Sequence, residues 1–301
     1  MRVLVTGGAG FIGSHLLERL LNEGCEVLVL DDLSLGVHAN VPEGVTFLPY
    51  PCEHVPWIEE VKGVEGIYHL GMPSSSPMYR ERACLAGLTL TQFETLLRLA
   101  ETMGCRLVYA STSSLYNGNP TPWREDMPIH PTDVYTETRY WMERLAAVYH
   151  SLRGVESIGL RFFSVYGPRE RHKGRYANLV SQFLWALRRG EVPVIYGDGN
   201  QTRDFVWVGD VVEACLKAMA SKVACDVFNV GTGKAHSFNQ VLSMLNEALG
   251  ASVKPKYIEN PIGNYVWHTL ADTSKAEKGL GFKAEVGLET GVKKILATEG
   301  E

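Results

Sequence analysis

Short apolar runs alternate with amphipathic stretches through the first half of the chain. The runs are rich in valine, leucine and isoleucine at successive positions, whereas the stretches between them repeat apolar residues every three or four positions. Strands that are apolar on both faces are typical of a parallel sheet covered by helices on both sides. The pattern therefore predicts a doubly wound α/β fold. Predicted strands begin at Val3, Glu26, Gly66, Arg106 and Ser157, and predicted helices cover 11–23, 85–103 and 132–152.

The alternation breaks after Arg161, where glycine and proline interrupt the chain repeatedly. Two later runs, at 204–207 and 227–230, still have the composition of strands. We therefore predict that the chain leaves the sheet and returns to it. The predicted division is a larger domain at 1–163 with about 201–234, and a smaller C-terminal substrate lobe at 164–200 and 235–301.

Composition and charge narrow the class of protein. A chain of 301 residues, 45% of them apolar, can bury a substantial core. The net charge of -5 argues against a nucleic-acid partner, because phosphate backbones require a basic face. No charged leader precedes the first strand, and no apolar run approaches the roughly 18 residues of a membrane helix. We expect a cytoplasmic protein with no nucleic-acid or membrane partner.

The cysteines carry no metal or disulfide pattern. They are scattered without a C-x-x-C pair, so their spacing predicts neither a zinc site nor a disulfide framework. Several fall inside apolar runs, and free cysteine prefers protein interiors, which favours buried reduced thiols. The six cysteines are Cys25, Cys52, Cys84, Cys105, Cys215 and Cys225.

A glycine-rich turn directly follows the first strand. Gly7, Gly10 and Gly13 have the spacing Gly-x-x-Gly-x-x-Gly, which allows a tight turn, a close approach to a pyrophosphate and close helix packing. Glycine turns before helices are common, so the spacing alone is a weak signal. The strand before it and the helix after it indicate a dinucleotide site, with Phe11 and Ile12 also contacting the cofactor.

An acidic pair ends the second predicted strand. Asp31 lies 18 residues after Gly13, where a carboxylate can accept hydrogen bonds from an adenosine ribose and would repel a 2′-phosphate. This position favours NAD over NADP as the cofactor. Asp32 is predicted to contact the cofactor as well. The alternative interpretation is that both are ordinary turn carboxylates.

Hydroxyl and phenol groups lie further along the chain. Thr112 lies in a Ser/Thr-rich segment after a strand, at the edge where open α/β sheets bind ligands, although such residues also cap their own backbone. Tyr135 and Arg139 are four residues apart on a predicted helix and share one face. A phenol is a poor base at neutral pH, and a fixed cation beside it favours the phenolate. Alone, this pair is more often a surface contact.

Taken in order, the glycine loop, the Ser/Thr strand end and the tyrosine helix resemble the extended short-chain dehydrogenase/reductase family. More narrowly, the chain is similar to the nucleotide-sugar epimerase and dehydratase branch of that family, which has a Rossmann-type fold. The resemblance extends over almost all 301 residues. The segments that match are 1–13, 28–36, 69–70, 161–169, 195–205 and 228–233.

The resemblance implies roles for individual residues. Bound NAD would take a hydride from a sugar carbon while Tyr135 removes the hydroxyl proton, and Thr112 would be the hydroxyl partner. Arg139 occupies the place of the family lysine, which binds the nicotinamide ribose. Arginine keeps the charge, but its longer planar fork donates in other directions, so we expect Arg139 to hold the ribose with reduced or altered catalysis. Other implied contacts are Leu70 for the cofactor and Thr112, Ser164, Arg169, Tyr196 and Arg203 for the substrate.

Ser113 and Ser114 bear on the type of reaction. Dehydratases of this branch have acidic residues just after the threonine, so the serines favour an epimerase. The leading hypothesis is an NAD-dependent epimerase acting at C4 of a UDP-sugar through a transient 4-keto intermediate. The alternatives are a nucleotide-sugar dehydratase or oxidoreductase, and an NAD-binding homologue weakened by Arg139. The helices from Leu85 and Thr132 are long and apolar enough to form a homodimer interface.

Overall fold

The computed structural model describes residues 1–298, so the last three residues of the predicted smaller lobe lie outside the described residues. The strands are β1 Arg2–Thr6, β2 Glu26–Leu30, β3 Thr46–Leu48, β4 Gly66–His69, β5 Arg106–Thr112, β6 Ser157–Phe162, β7 Ser164–Tyr166, β8 Val194–Tyr196, β9 Thr202–Trp207, β10 Cys225–Val230, β11 Ala235–Ser237 and β12 Lys256–Ile258. The helices are α1 Phe11–Asn22, α2 Ser76–Glu81, α3 Leu85–Met103, α4 Val134–Arg153, α5 Leu179–Arg188, α6 Val208–Ala220, α7 Phe238–Leu249, α8 Ser274–Leu280 and α9 Leu288–Thr298. Short 3-10 turns lie at His38–Asn40, Cys52–Trp57, Glu59–Val61, Ser113–Tyr116 and Arg171–Tyr176.

Seven parallel strands form the main sheet in the order β10-β6-β5-β4-β1-β2-β3. The predicted doubly wound, Rossmann-type fold is therefore confirmed. Strand order reverses between β1 and β4, and at such a switch point the loops at the carboxyl ends of the strands diverge and leave a crevice. The candidate cofactor and catalytic segments follow β1, β2, β4 and β5, so the topology brings them to this edge.

Apolar layers cover both faces of the sheet. On one face, the helices α1 and α6 contribute side chains such as Leu16 and Val211, which are inaccessible to solvent. On the other face, α3 and α4 contribute Phe93 and Met142, which are equally buried. These layers hold the strand ends in fixed positions relative to the start of α4.

The smaller lobe contains a three-stranded sheet, β11-β9-β7, and the pair β12-β8. The chain returns to the main sheet at β10, which pairs with β6. Strand β9 instead pairs with β7 and β11. Buried Asp204 on β9 accepts hydrogen bonds from the amides of Thr232, Gly233 and Ala271, so this strand is tied to the smaller lobe.

Three very short connections join the two lobes. Only Phe163 separates β6 of the main sheet from β7 of the smaller one. Strand β9 passes directly into α6, and residues 231–234 alone separate β10 from β11. The lobes are therefore interleaved along the chain and share the backbone at three places.

The thiols only partly follow the sequence expectation. Cys52, Cys105 and Cys215 are buried, whereas Cys84 is exposed at the residue that precedes α3. Within residues 1–298, no group of three or more His, Cys, Asp or Glu side chains is placed to hold a metal ion. In the same part of the chain, no helix has the length and apolar character needed to cross a membrane.

Candidate active site

A cavity of about 1000 Å³ opens at the carboxyl edge of the main sheet. Its walls come from the loops after β1, β2, β4 and β5, the start of α4 and the segment that follows β6. This volume suits an extended small molecule with several polar groups. The sequence-predicted residues that line it are Gly7, Gly10, Phe11, Ile12, Gly13, Asp31, Asp32, Leu70, Thr112, Tyr135, Arg139, Ser164 and Arg203.

The glycines form a cradle that has no space for side chains. Gly7 has φ +72°, a conformation that favours glycine. A Cβ atom on Gly13 would overlap the carbonyl oxygen of Gly7, so the loop folds tightly only with glycine there. The amides of Phe11, Ile12 and Gly13 lie in the first turn of α1, where N–H groups have no partner within the helix. The cradle is therefore suited to bind a pyrophosphate.

Asp31 organises the loop that follows β2 at one end of the cavity. Its carboxylate accepts hydrogen bonds from the amides of Ala9 at 2.9 Å and Leu33 at 2.8 Å. Burial raises the pKa of Asp31, and these amide bonds oppose the shift. Neighbouring Asp32 accepts from the amide of Ser34 at 2.9 Å. Both carboxylates shape the turn and line the cavity.

Thr112 and Tyr135 lie in the cavity wall and are nearly buried, with 6% and 7% of their surface exposed. Thr112 ends β5, and its hydroxyl accepts a hydrogen bond from the amide of Ser114 at 3.2 Å. Tyr135 lies in the first turn of α4, whose start is fixed by a capping box between Asp133 and Thr136. The Thr112 hydroxyl and the Tyr135 phenol, which the sequence indicated as candidate catalytic groups, are therefore held on rigid elements.

Arg139 is 2% exposed and lies one helical turn beyond Tyr135. Its guanidinium donates to the carbonyl oxygen of Pro73 at 2.6 Å, contacts the sulfur atoms of Met72 and Met142, and lies 5.1 Å from the centre of the Tyr135 ring. In the described part of the chain it forms no salt bridge with a carboxylate. The cation is locked beside the phenol, and its charge remains uncompensated at the cavity wall.

Ser164 and Arg203 line the end of the cavity opposite the glycine cradle. Ser164 accepts a hydrogen bond from Asn178, whose side chain also caps α5. The guanidinium of Arg203 lies between the rings of Phe238 and Tyr265, at 5.3 and 5.4 Å from their centres. It donates to backbone carbonyls at 2.5 to 3.2 Å, and burial lowers its pKa, while a hydrogen bond with Tyr265 opposes the shift. This cation, too, has no carboxylate partner within residues 1–298.

Two predicted substrate residues lie elsewhere. Arg169 has φ +70°, and its side chain pairs with Glu18 of α1 at 2.5 Å. Tyr196 lies on the two-stranded sheet, with 37% of its surface exposed. Neither is among the described residues that line the cavity.

The basic loop after Arg169 divides its cations between two roles. Lys173 lines the cavity, pairs with buried Glu170 at 2.6 Å and lies over the ring of Phe11. Arg175 instead forms an ion pair with Glu81 of α2 at 2.8 Å. The loop thus reaches across the mouth of the cavity, with one lysine directed towards the cofactor cradle.

Sequence reasoning missed part of the wall and its support. Residues 72–76, after β4, line the cavity without a sequence signal that would have distinguished them. Glu143 lies four residues after Arg139 and forms a buried ion pair with Arg161. The spacing Tyr-x-x-x-Arg-x-x-x-Glu was visible in the sequence, because residues four apart share a helical face.

Comparisons with known proteins show relatives that match most of the chain. The model of the NAD dependent epimerase/dehydratase family matches residues 3–231. A putative UDP-glucose 4-epimerase of Methanocaldococcus jannaschii is 33% identical over 98% of this chain and 97% of its own length. UDP-glucuronic acid decarboxylase 1 of Xenopus tropicalis is 33% identical over 98% of this chain and 71% of its own length. The crystal structure of a Thermotoga maritima UDP-glucose 4-epimerase with UDP-glucose has a TM-score of 0.92 at 33% identity, and covers 99% of this chain and 98% of its own.

The fold and the site define an extended short-chain dehydrogenase/reductase, with a dinucleotide cradle beside a tyrosine helix. The chain belongs to the NAD dependent epimerase/dehydratase family. NAD is accordingly its cofactor, as Asp31 and the glycine spacing predicted. The relatives act on different nucleotide sugars, so the family alone does not define the reaction.

Proposed function

We propose that this protein is an NAD-dependent nucleotide-sugar epimerase that inverts C4 of a UDP-sugar. The observation that carries the proposal is that Thr112, Tyr135 and Arg139 line the same cavity as the glycine cradle. The similarity to proteins named UDP-glucose 4-epimerase supports the substrate class. A cytoplasmic location and a homodimeric state are parts of the same proposal.

The residues present fit the cofactor. The first-turn amides of α1 would bind the pyrophosphate, because the cradle excludes side chains that would block its approach. Asp31 and Asp32 would accept hydrogen bonds from the adenosine ribose. Arg139 would hold the nicotinamide ribose, and Leu70 would pack against the cofactor. When bound, NAD supplies a reversible hydride acceptor for the sugar carbon.

The chain's own residues would handle the proton. Tyr135, as phenolate, would accept the proton of the sugar 4-hydroxyl while C4 loses its hydride, giving a 4-keto sugar. Thr112 would donate a hydrogen bond to the same oxygen and hold it in place. Return of the proton from Tyr135 and of the hydride to the other face of C4 gives the epimer. The guanidinium of Arg139, 5.1 Å from the centre of the Tyr135 ring, would hold the phenol in place.

The substrate diphosphate would bind near Arg203 and Ser164. Arg203 is a cation without a carboxylate partner among the described residues, and it lines the cavity at the end opposite the cradle. A half-buried cation of this kind stabilises an anionic group, because fewer water molecules compete with it than at an open surface. Lys173 would add charge between the two ligands.

The cavity favours an epimerase over a dehydratase. Elimination of water from the sugar requires an acid or base beyond the tyrosine. Among the described residues that line the cavity, the carboxylates are Asp31, Asp32 and Glu81. The first two lie at the ribose end and the third at the mouth, whereas Ser113 and Ser114 adjoin Thr112. We therefore propose retention of water and no net release of NADH.

The test is mass spectrometry of ligands released from the purified protein, followed by a panel of sugar nucleotides. We expect bound NAD, and interconversion of UDP-glucose with UDP-galactose or of their N-acetyl forms. Tyr135→Phe should retain NAD and lose about 10²- to 10⁴-fold in kcat, the usual contribution of a general base. Loss of one water from the product would instead identify a dehydratase. Bound NAD without turnover of any sugar nucleotide would indicate a non-catalytic homologue.

A further inference from the structure

A buried ion pair lies beneath the catalytic end of the cavity and has no part in the mechanism above. Glu143 of α4 and Arg161 of β6 have only 5% and 4% of their side chains exposed. The guanidinium binds both carboxylate oxygens, with Nε donating at 2.9 Å and Nη2 at 2.6 Å. Neither residue is among the described residues that line the cavity, so both act through their neighbours.

The pair is bonded to the strand that carries Thr112. Ser111 donates its hydroxyl hydrogen to Glu143 at 2.5 Å and is the residue immediately before Thr112. In the sheet, Ser111 is also directly opposite Arg161. Glu143 therefore connects helix α4 to the last residues of β5 and to the neighbouring strand.

The same carboxylate fixes the helix that carries the phenol. Tyr135, Arg139 and Glu143 follow one another at intervals of four residues, which places them along one face of α4. A slide or rotation of α4 would break the bonds of Glu143 to Ser111 and Arg161. The contacts of Glu143 thus oppose any change in the spacing between Tyr135 and Thr112.

On its other side, Arg161 is anchored to the chain near the smaller lobe. Its Nη1 donates to the hydroxyl of Tyr116 at 2.5 Å, and that hydroxyl donates to Asn229 at 2.8 Å. Asn229 donates in turn to the carbonyl oxygens of Trp123 and Asp272. Burial alone would lower the pKa of Arg161, but the bonds and charge of Glu143 raise it above its ordinary value. The charge is therefore permanent.

We propose that Glu143 and Arg161 are positioning residues that hold Tyr135 in register with Thr112. A buried ion pair adds little net stability, because removing two charges from water offsets their attraction. The pair nevertheless fixes the relative positions of the two residues, because the planar guanidinium must align with both carboxylate oxygens. The inference rests on the proposed function, and it deepens that function by naming the residues that set the geometry of its two reacting groups.

The test compares Ser111→Ala, Glu143→Gln and the double variant with a control. Ser111→Ala keeps the ion pair and removes the hydroxyl that ties it to the strand, at a residue that also lines the cavity. The control is Glu156→Gln, which removes the carboxylate partner of Arg106 at the opposite end of β5. Steady-state kcat and KM are measured per NAD-loaded site, and the emission and dissociation rate of bound NADH give a readout independent of turnover.

We expect kcat to fall about tenfold to 10²-fold in Ser111→Ala and Glu143→Gln, as for small misplacements of reacting groups. KM and NAD content should remain within about twofold of the wild type, because ground-state binding is unaffected. The kcat of the double variant should equal that of Glu143→Gln, since both substitutions break the same connection between Ser111 and Glu143. Glu156→Gln should keep the wild-type kcat per loaded site.

Unchanged kcat per loaded site in Ser111→Ala and Glu143→Gln would overturn the proposal, even if thermal stability fell. If Glu143→Gln does not fold, Ser111→Ala decides the question. If the wild type turns over no sugar nucleotide, the proposed function fails and the NADH readout decides separately. A changed emission or dissociation rate in Ser111→Ala, absent from Glu156→Gln, would then support the positioning role, and identical values would refute it.

Discussion

His69 should contribute to the destabilisation of this protein by acid. His69 ends β4, is inaccessible to solvent, stacks on Phe93 and shares a 2.7 Å hydrogen bond with Thr6 through Nδ1. Burial, and secondarily the charge of Arg139, lowers its pKa from 6.5 to about 3. The folded protein therefore keeps His69 neutral at a pH where the unfolded chain takes up a proton.

The sign and size of the change in unfolding free energy follow from the difference between the pKa of His69 in the folded protein and in the unfolded chain. The folded protein has the full stability associated with neutral His69 above pH 6.5. This contribution is lost as the pH falls from 6.5 towards about 3, because the unfolded chain binds a proton that the folded protein does not. Each pH unit is worth about 1.4 kcal/mol, so acidification from pH 6.5 to pH 5 should cost about 2 kcal/mol of unfolding free energy. This is a large share of the roughly 5–15 kcal/mol that stabilises a typical domain.

The assay is urea unfolding, followed by circular dichroism, at several pH values between 7 and 5. His69→Asn keeps a polar atom near Thr6 and does not titrate, so its unfolding free energy should fall less steeply over that range. Contributions from carboxylates are common to both proteins and cancel in the comparison. If both proteins lost the same free energy between pH 7 and pH 5, with equal denaturant slopes, the reasoning would be refuted.

Three further predictions concern the cofactor, the substrate and the assembly. Gly13→Ala should abolish NAD retention, measured by mass spectrometry, because its Cβ would overlap the carbonyl of Gly7, whereas Gly87→Ala, with open space around it, should not. Arg203→Met should raise KM for the sugar nucleotide about 10- to 10²-fold at unchanged NAD content, the effect of one charge-assisted bond; an unchanged KM would exclude it as a ligand. Trp141→Glu should convert a dimer to a monomer in light scattering, because Trp141 is 42% exposed on α4; an unchanged mass would exclude that face.

The proposed dimer face has a regular pattern. Val134, Trp141, Val148 and Leu152 are all exposed and are separated by seven, seven and four residues, so they form one apolar stripe along α4. A second copy of α4 packed on this stripe would remove it from water. The stripe lies on the face away from the buried Tyr135, Arg139 and Glu143, so dimerisation would leave the cavity wall intact.

The fold and the cofactor end were predictable because their signals are local. A strand that is apolar on both faces is recognisable from its own residues, and the spacing of Gly7, Gly10 and Gly13 is fixed by the turn that they make. Asp31 followed from its place at the end of a strand. These features depend on contacts between residues close in the sequence.

The substrate end was less predictable because it depends on the path of loops. Arg169 belongs to a basic segment, but its side chain pairs with Glu18 on α1. Tyr196 was expected at the substrate, yet its strand pairs with β12 outside the cavity. Glu143 could have been found from its spacing, although its partners Ser111 and Arg161 become visible only when β5 and β6 pair.

The three short connections between the lobes limit how this molecule can move. Two lobes joined by one flexible segment can rotate apart about that segment as a hinge. Here the backbone would have to bend at three places at once: at Phe163, at the β9-α6 junction and at residues 231–234. Wide separation of the lobes would strain the backbone at each crossing. Ligands should therefore enter and leave by local displacement of the mouth, where Arg175 meets Glu81, so exchange should depend on a few surface side chains rather than on a domain hinge.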